Sequence, residues 1–270
     1  MTRLSLSKAW EESRQIFKKD GGLLSAVALA LLVLPQIVAG VVAPGEEPSI
    51  AGRLVGMLAA LIGVVGQLAI VRLALGPSTT VAQAIGHGIR RFPAMLGALI
   101  LLMIGLGLFL IPLMAILVGA GIVEVPAPGT QPSASFATVA LLLAVGAVLL
   151  AVRFMLTVPV ASGEPSGPLH ILKRSWSLTK GRYWTLFGLE LLLLVAALFL
   201  LLTGQMIGGI IGEIVGGDAT PFSLSALLFS FIVALTQSVF TVLASVMLAR
   251  VYAQLTGAGE PEVSVPSTGT

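Results

Sequence analysis

The sequence predicts an all-α integral membrane protein, a six-helix bundle, and three observations carry that reading. Six long apolar segments run through the chain, the basic residues gather in every second gap between them, and the pattern recurs three times. The chain is 57% hydrophobic and 10% charged, with a mean hydropathy of +1.05, whereas a soluble domain is about half apolar and a quarter charged. A bilayer core about 30 Å thick needs roughly 20 apolar residues per helix. The 270 residues therefore hold six spans with short connections and leave no room for a separate soluble catalytic domain.

The spans fall at residues 22–42, 54–75, 94–118, 136–160, 184–211 and 222–250. Only helices and closed barrels satisfy their backbone in lipid, and uninterrupted apolar runs lack the alternation of barrel strands. The segment before the first span carries Glu11, Glu12 and Asp20 and has helical periodicity, and the apolar run contains Pro35. It reads as a retained span, not a signal peptide. Gaps 43–53, 119–135 and 212–221 hold Glu46, Glu47, Glu124, Glu213 and Asp218 with Arg53 as their single cation, while the other fourteen of the fifteen Lys and Arg residues, from Arg3 to Arg250, lie on the opposite side. The positive-inside rule makes that side cytoplasmic, with both termini on it, and places the chain in a bacterial inner membrane.

Each basic block before an odd-numbered span reads as a short amphipathic helix on the membrane surface. Leu6, Trp10, Ser13 and Phe17 share one face; Val81, Ile85, Ile89 and Phe92 share the second; Leu169, Leu172, Trp176 and Thr179 share the third. Turns into the spans are expected at Asp20-Gly21-Gly22, Phe92-Pro93 and Lys180-Gly181-Arg182. The even spans end alike, with Arg72, Arg153 and Arg250 near their basic ends. These features suggest three repeats of interfacial helix plus helical hairpin, about 1–76, 77–160 and 161–256, followed by a disordered tail over 257–270.

Catalytic signals are scarce. His87 and His170 stand beside no carboxylate at metal-ligand spacing, and no metalloprotease, phosphate-loop or nucleophile-elbow motif occurs. With no cysteine there is no disulfide or thiolate site. No cofactor, metal or nucleic-acid partner is expected; the excess of cations flanks apolar spans, so phospholipid headgroups are the expected partner. Glu190 lies inside the fifth span, where a lone carboxylate is costly, with Arg153 or Arg250 as candidate partners. Gln237 belongs to a loose polar stripe on the sixth span with Ser230, Thr241 and Ser245. Gly204, Gly208, Gly212 and Gly216, spaced by four, suit close helix packing.

The run Lys173-Arg174-Ser175-Trp176-Ser177-Leu178-Thr179-Lys180-Gly181-Arg182-Tyr183-Trp184 resembles the signature of the glycerophosphoryl diester phosphodiesterase membrane-domain family. The Pro-Val-x-x-Gly-Glu run at 159–164 and Ala249-Arg250-Val251-Tyr252 fit the same pattern. The resemblance implies a multi-span bacterial membrane protein; some members carry a soluble phosphodiesterase barrel, and the metal-binding motifs of that barrel are missing from this chain. Lys173, Arg174, Lys180 and Arg182, with Trp176 and Trp184 at headgroup depth, form a strip suited to anionic phospholipid, each cation contributing on the order of 1 kcal/mol. The expected function is a non-enzymatic, lipid-interacting or membrane-organising module. The alternatives are a small-molecule or lipid transporter and, behind it, an intramembrane hydrolase.

Overall fold

Every one of the six apolar segments forms a helix long enough to cross a bilayer, and no strand occurs among the described residues. The structure is a computed structural model that describes residues 4–44, 49–76, 80–126, 131–216 and 220–257. Arg3, Glu46, Glu47, Asp218, the side of Gly216 and the tail beyond Gly257 lie outside the described residues. The elements are α1 (Leu6–Ala28), a π-helical turn (Leu29–Val33), α2 (Leu34–Val42), α3 (Ile50–Leu75), α4 (Val81–Gly119), α5 (Ala134–Phe154), α6 (Thr157–Gly163), α7 (Pro168–Thr179), α8 (Tyr183–Gly216) and α9 (Leu224–Thr256). Local sequence explains many of the ends. Ser5, Ser49, Ser133 and Ser223 cap helix N-termini through their hydroxyls, and Thr80 and Gln83 form a reciprocal capping box. Gly257 stops α9 in the left-handed conformation, φ 73°.

Two of the three expected turns do not form. The first basic segment and first span are one continuous helix from Leu6 to Val42, running through Gly21 and Gly22, and α4 runs through Pro93 and Pro112. Glycine inside a helix costs only about 1 kcal/mol, less than leaving backbone groups unbonded beside lipid. Near Pro35, which can donate no hydrogen bond and would crowd the carbonyl four residues earlier, the helix widens into the π turn instead of breaking. Only the third basic helix ends before its span. Gly181 adopts φ 86° between α7 and α8, a conformation that favours glycine.

Packing is concentrated at the basic end. Buried side chains there form two adjoining clusters, one around Leu68, Met95, Leu156, Ile171, Leu186 and Val251, the other around Leu24, Val27, Ile70, Val71 and Val246. Helices α3 and α9 are central to the bundle, and α9 presents small side chains to its neighbours at Ser230, Ala234, Ser238, Ser245 and Ala249. Against the bundle each basic helix buries a small pair four residues apart, Ala9 with Ser13, Ala84 with Gly88, and Ser175 with Thr179, joined on α7 by Ile171, while Trp10, Ile89 and Trp176 of the faces expected to lie on the membrane are exposed. Helix α1 packs on α9, α4 on α3, and α7 on α5 and α6.

The hairpins differ. Helices α8 and α9 pair along their length: a Cβ added at Gly204, Gly208 or Gly212 would sit 3.3 Å from Thr236, 3.0 Å from Phe229 and 3.0 Å from Ser225 respectively. Helices α4 and α5 scarcely touch. Replacing Gly208 by Leu is expected to overpack this face and cost about 1–3 kcal/mol, seen as a lower unfolding temperature in detergent. Gly209→Leu, which meets open space, should leave that temperature within a degree or two of wild type.

Candidate functional site

The adjoining helix α7 and the distant helix α9 meet at the carboxylate of Glu164, which lies in the link between α6 and α7 and is mostly buried. Arg174 Nε donates to its Oε1 at 2.9 Å and the Tyr252 hydroxyl donates to the same oxygen at 3.0 Å. His170 Nε2 stands 3.6 Å from Oε2. Helix α4 closes the far side: Arg91 donates to the carbonyl oxygens of Ala161, at 2.7 Å, and of Glu164, and His87 Nε2 lies 2.8 Å from the Ser162 carbonyl. Ser162 in turn donates to the Leu68 carbonyl of α3 at 3.0 Å. Gly163 admits the Tyr252 ring, since a Cβ there would come within 2.8 Å of it. Burial by itself would raise the Glu164 pKa, but the hydrogen bonds from Arg174 and Tyr252 and the charges of Arg174 and His170 prevail and hold it below the ordinary carboxylate value.

The returning-span arginines are engaged elsewhere than at Glu190. Arg250 Nε donates to Glu12 Oε2 at 2.8 Å and its Nη1 donates to the Ala74 carbonyl at 3.3 Å, joining α9, α1 and α3. Arg153 is clamped between two rings, 5.0 Å from the Trp176 centroid and 4.8 Å from that of Tyr183; such contacts contribute about 0.5–2 kcal/mol. Ser175 donates to the Arg153 carbonyl at 2.9 Å, and Tyr183 to the Leu149 carbonyl at 2.8 Å. Arg72, half-buried near the end of α3, lies close enough to His87 to oppose its protonation electrostatically. Glu190 forms no ion pair with either candidate arginine.

Between the scarcely touching α4 and α5 lies an apolar crevice with two lobes. One, about 480 Å³, is walled by Leu102, Gly105, Phe109 and Leu150 and meets Lys173 and Trp176 of α7. The other, about 540 Å³, shares Leu102, Leu106, Leu150 and Phe154 with the first, reaches α8 and α9, and contains Glu190. Gln237 and Thr241 line a separate space of about 200 Å³ between α8 and α9. Of the residues expected to meet headgroups, Lys173, Lys180, Trp176 and Trp184 are exposed, Arg182 is half-buried, and Arg174 is committed to Glu164. The knot at Glu164 is not legible from single residues: Glu164 and Tyr252 both enter the family pattern, but nothing in their spacing pairs them. One signal was available: past Asp20, Glu164 is the lone carboxylate in a basic connection before the tail, and such a group needs cationic partners.

Among the described residues, no three His, Asp or Glu side chains converge as a metal site would require. Glu164→Gln should cost on the order of 1–3 kcal/mol at neutral pH by removing a charged acceptor. Because the folded pKa is depressed, this contribution is complete above the ordinary carboxylate value and disappears as pH falls through the lower folded value. Unfolding midpoints of wild type and Glu164→Gln in detergent should therefore differ near pH 7 and converge in acid.

No curated protein and no solved structure matches this chain significantly. Residues 8–255, spanning all six helices and every contact just described, match a domain of unknown function, DUF7847. The chain belongs to the DUF7847 family.

Proposed function

We propose that this multi-pass membrane protein is a non-enzymatic lipid-interacting module of the bacterial inner membrane, with its basic end and both termini on the cytoplasmic side. The observation that carries the reading is the lobe between α4, α5 and α7: apolar walls open sideways to the bilayer, with Lys173 and Trp176 at its polar end. An acyl chain fits such walls, and an ammonium with an indole beside it suits a phosphate at headgroup depth. Exposed Lys180 and Trp184 extend that surface. The likeness of residues 173–184 to the glycerophosphoryl diester phosphodiesterase membrane-domain signature is consistent with this role, and the hydrolase activity is not part of it.

We also propose that the chain is built from three copies of one unit. Arg153 and Arg250 each lie against the basic helix that begins a further unit, beside Trp176 and Glu12 respectively, the latter returning to the first. A transporter is the second reading, favoured by Glu190 inside the crevice.

Replacing Lys173 and Lys180 by Gln should lower the anionic phospholipid retained through purification about fivefold per charge, as about 1 kcal/mol each implies. Mass spectrometry of co-purified lipid checks this, and unchanged retention would overturn the lipid reading. Single cysteines in the cysteine-free chain test orientation: a reporter at Glu124 should react from outside intact cells, and one at His170 only after permeabilisation.

A further inference from the structure

We infer that the Glu190 lobe of the crevice is a binding site for a lipophilic cation, a molecule with a bulky apolar body and one positive charge such as a hydrophobic quaternary ammonium or phosphonium. Glu190 sits roughly 10 Å along α8 from Tyr183, as seven residues of helical rise give. It is the only ionisable residue in the lining of a space otherwise walled by Leu, Ala, Phe and Met. At about 540 Å³ the space falls within the roughly 300–1,000 Å³ of small-molecule sites.

Neither candidate arginine pairs with Glu190. Arg153 is clamped between Trp176 and Tyr183, and Arg250 is bound to Glu12 and the Ala74 carbonyl. No hydrogen-bond donor or cation among the described residues reaches the Glu190 carboxylate. A charged carboxylate in such surroundings is costly, and the cost is met by taking up a proton or a counter-charge; a cation with an apolar body can bring that counter-charge through apolar walls. Entry is lateral, through the gap that α4 and α5 leave. The inference rests on Glu190 and its walls, not on the anionic-lipid surface at Lys173.

Binding of radiolabelled tetraphenylphosphonium to the full-length protein in detergent tests it. Wild type should show saturable binding, and Glu190→Gln should weaken it at least tenfold while keeping the wild-type elution profile. Ala244→Leu, which fills the lobe from α9 and leaves the carboxylate in place, should weaken it as well, so the inference stays testable if Glu190→Gln fails to fold. Absence of saturable binding to wild type, or equal binding by wild type and either folded variant, overturns the inference. Anionic phospholipid retained by the Glu190→Gln protein should equal that of wild type, so loss of lipid retention and loss of cation binding are read separately.

Discussion

Apolar helices in a bilayer gain little from hiding their surfaces from one another, because lipid tails are as apolar as leucine. The arrangement of this bundle depends instead on polar side chains at one end that capture backbone carbonyls and each other. Glu164 is the centre of that layer. Its carboxylate gathers Arg174 from α7 and Tyr252 from α9, its own carbonyl takes Arg91 from α4, and the neighbouring Ser162 reaches α3. Because each of these partners lies on a different helix, loss of one bond loosens an assembly, not a pair.

Around this centre the basic helices are held by a rule that repeats with different chemistry. Arg250 meets a carboxylate and Arg153 meets two aromatic rings. A guanidinium suits both because it donates hydrogen bonds and stacks on rings. The small pairs buried by the three basic helices let backbones approach closely enough for such contacts; at Gly88 a Cβ would come within 2.7 Å of the Val65 carbonyl oxygen. Trp10, Ile89 and Trp176 of these helices are left facing outward, where a bilayer interface would receive the two indoles.

The membrane class, the number of spans and the separation of charge were legible because they depend on composition over windows of about twenty residues. The local breaks were less so. Gly21-Gly22 and Phe92-Pro93 look like helix ends in water, but the lack of water in a bilayer keeps the helix going, whereas Gly181 takes a left-handed turn. The partners of Arg153 and Arg250 were illegible for a different reason. Opposite charge suggested Glu190 for both, but Trp176 and Tyr183 come close to Arg153 only when α7 folds back on α5, and Glu12 meets Arg250 across 238 positions of sequence. Periodicity marks an apolar face on each basic helix for the membrane surface, and Trp10, Ile89 and Trp176 of those faces are exposed, but it does not tell which residues turn to the bundle: Ala9 and Ser13, Ala84 and Gly88, and Ile171, Ser175 and Thr179 do.

The middle hairpin departs from its two neighbours, and glycine shows how. In the first hairpin a Cβ at Gly66 would lie 3.0 Å from Leu31 and Leu32, and in the third the glycines of α8 abut α9. In the middle one, Gly105 of α4 and Gly146 of α5 face open space. Glycines that let two helices close in the outer hairpins here leave the walls of a crevice smooth and its mouth wide. The same absence of contact explains why Glu190, on α8, can border a space reached from between α4 and α5.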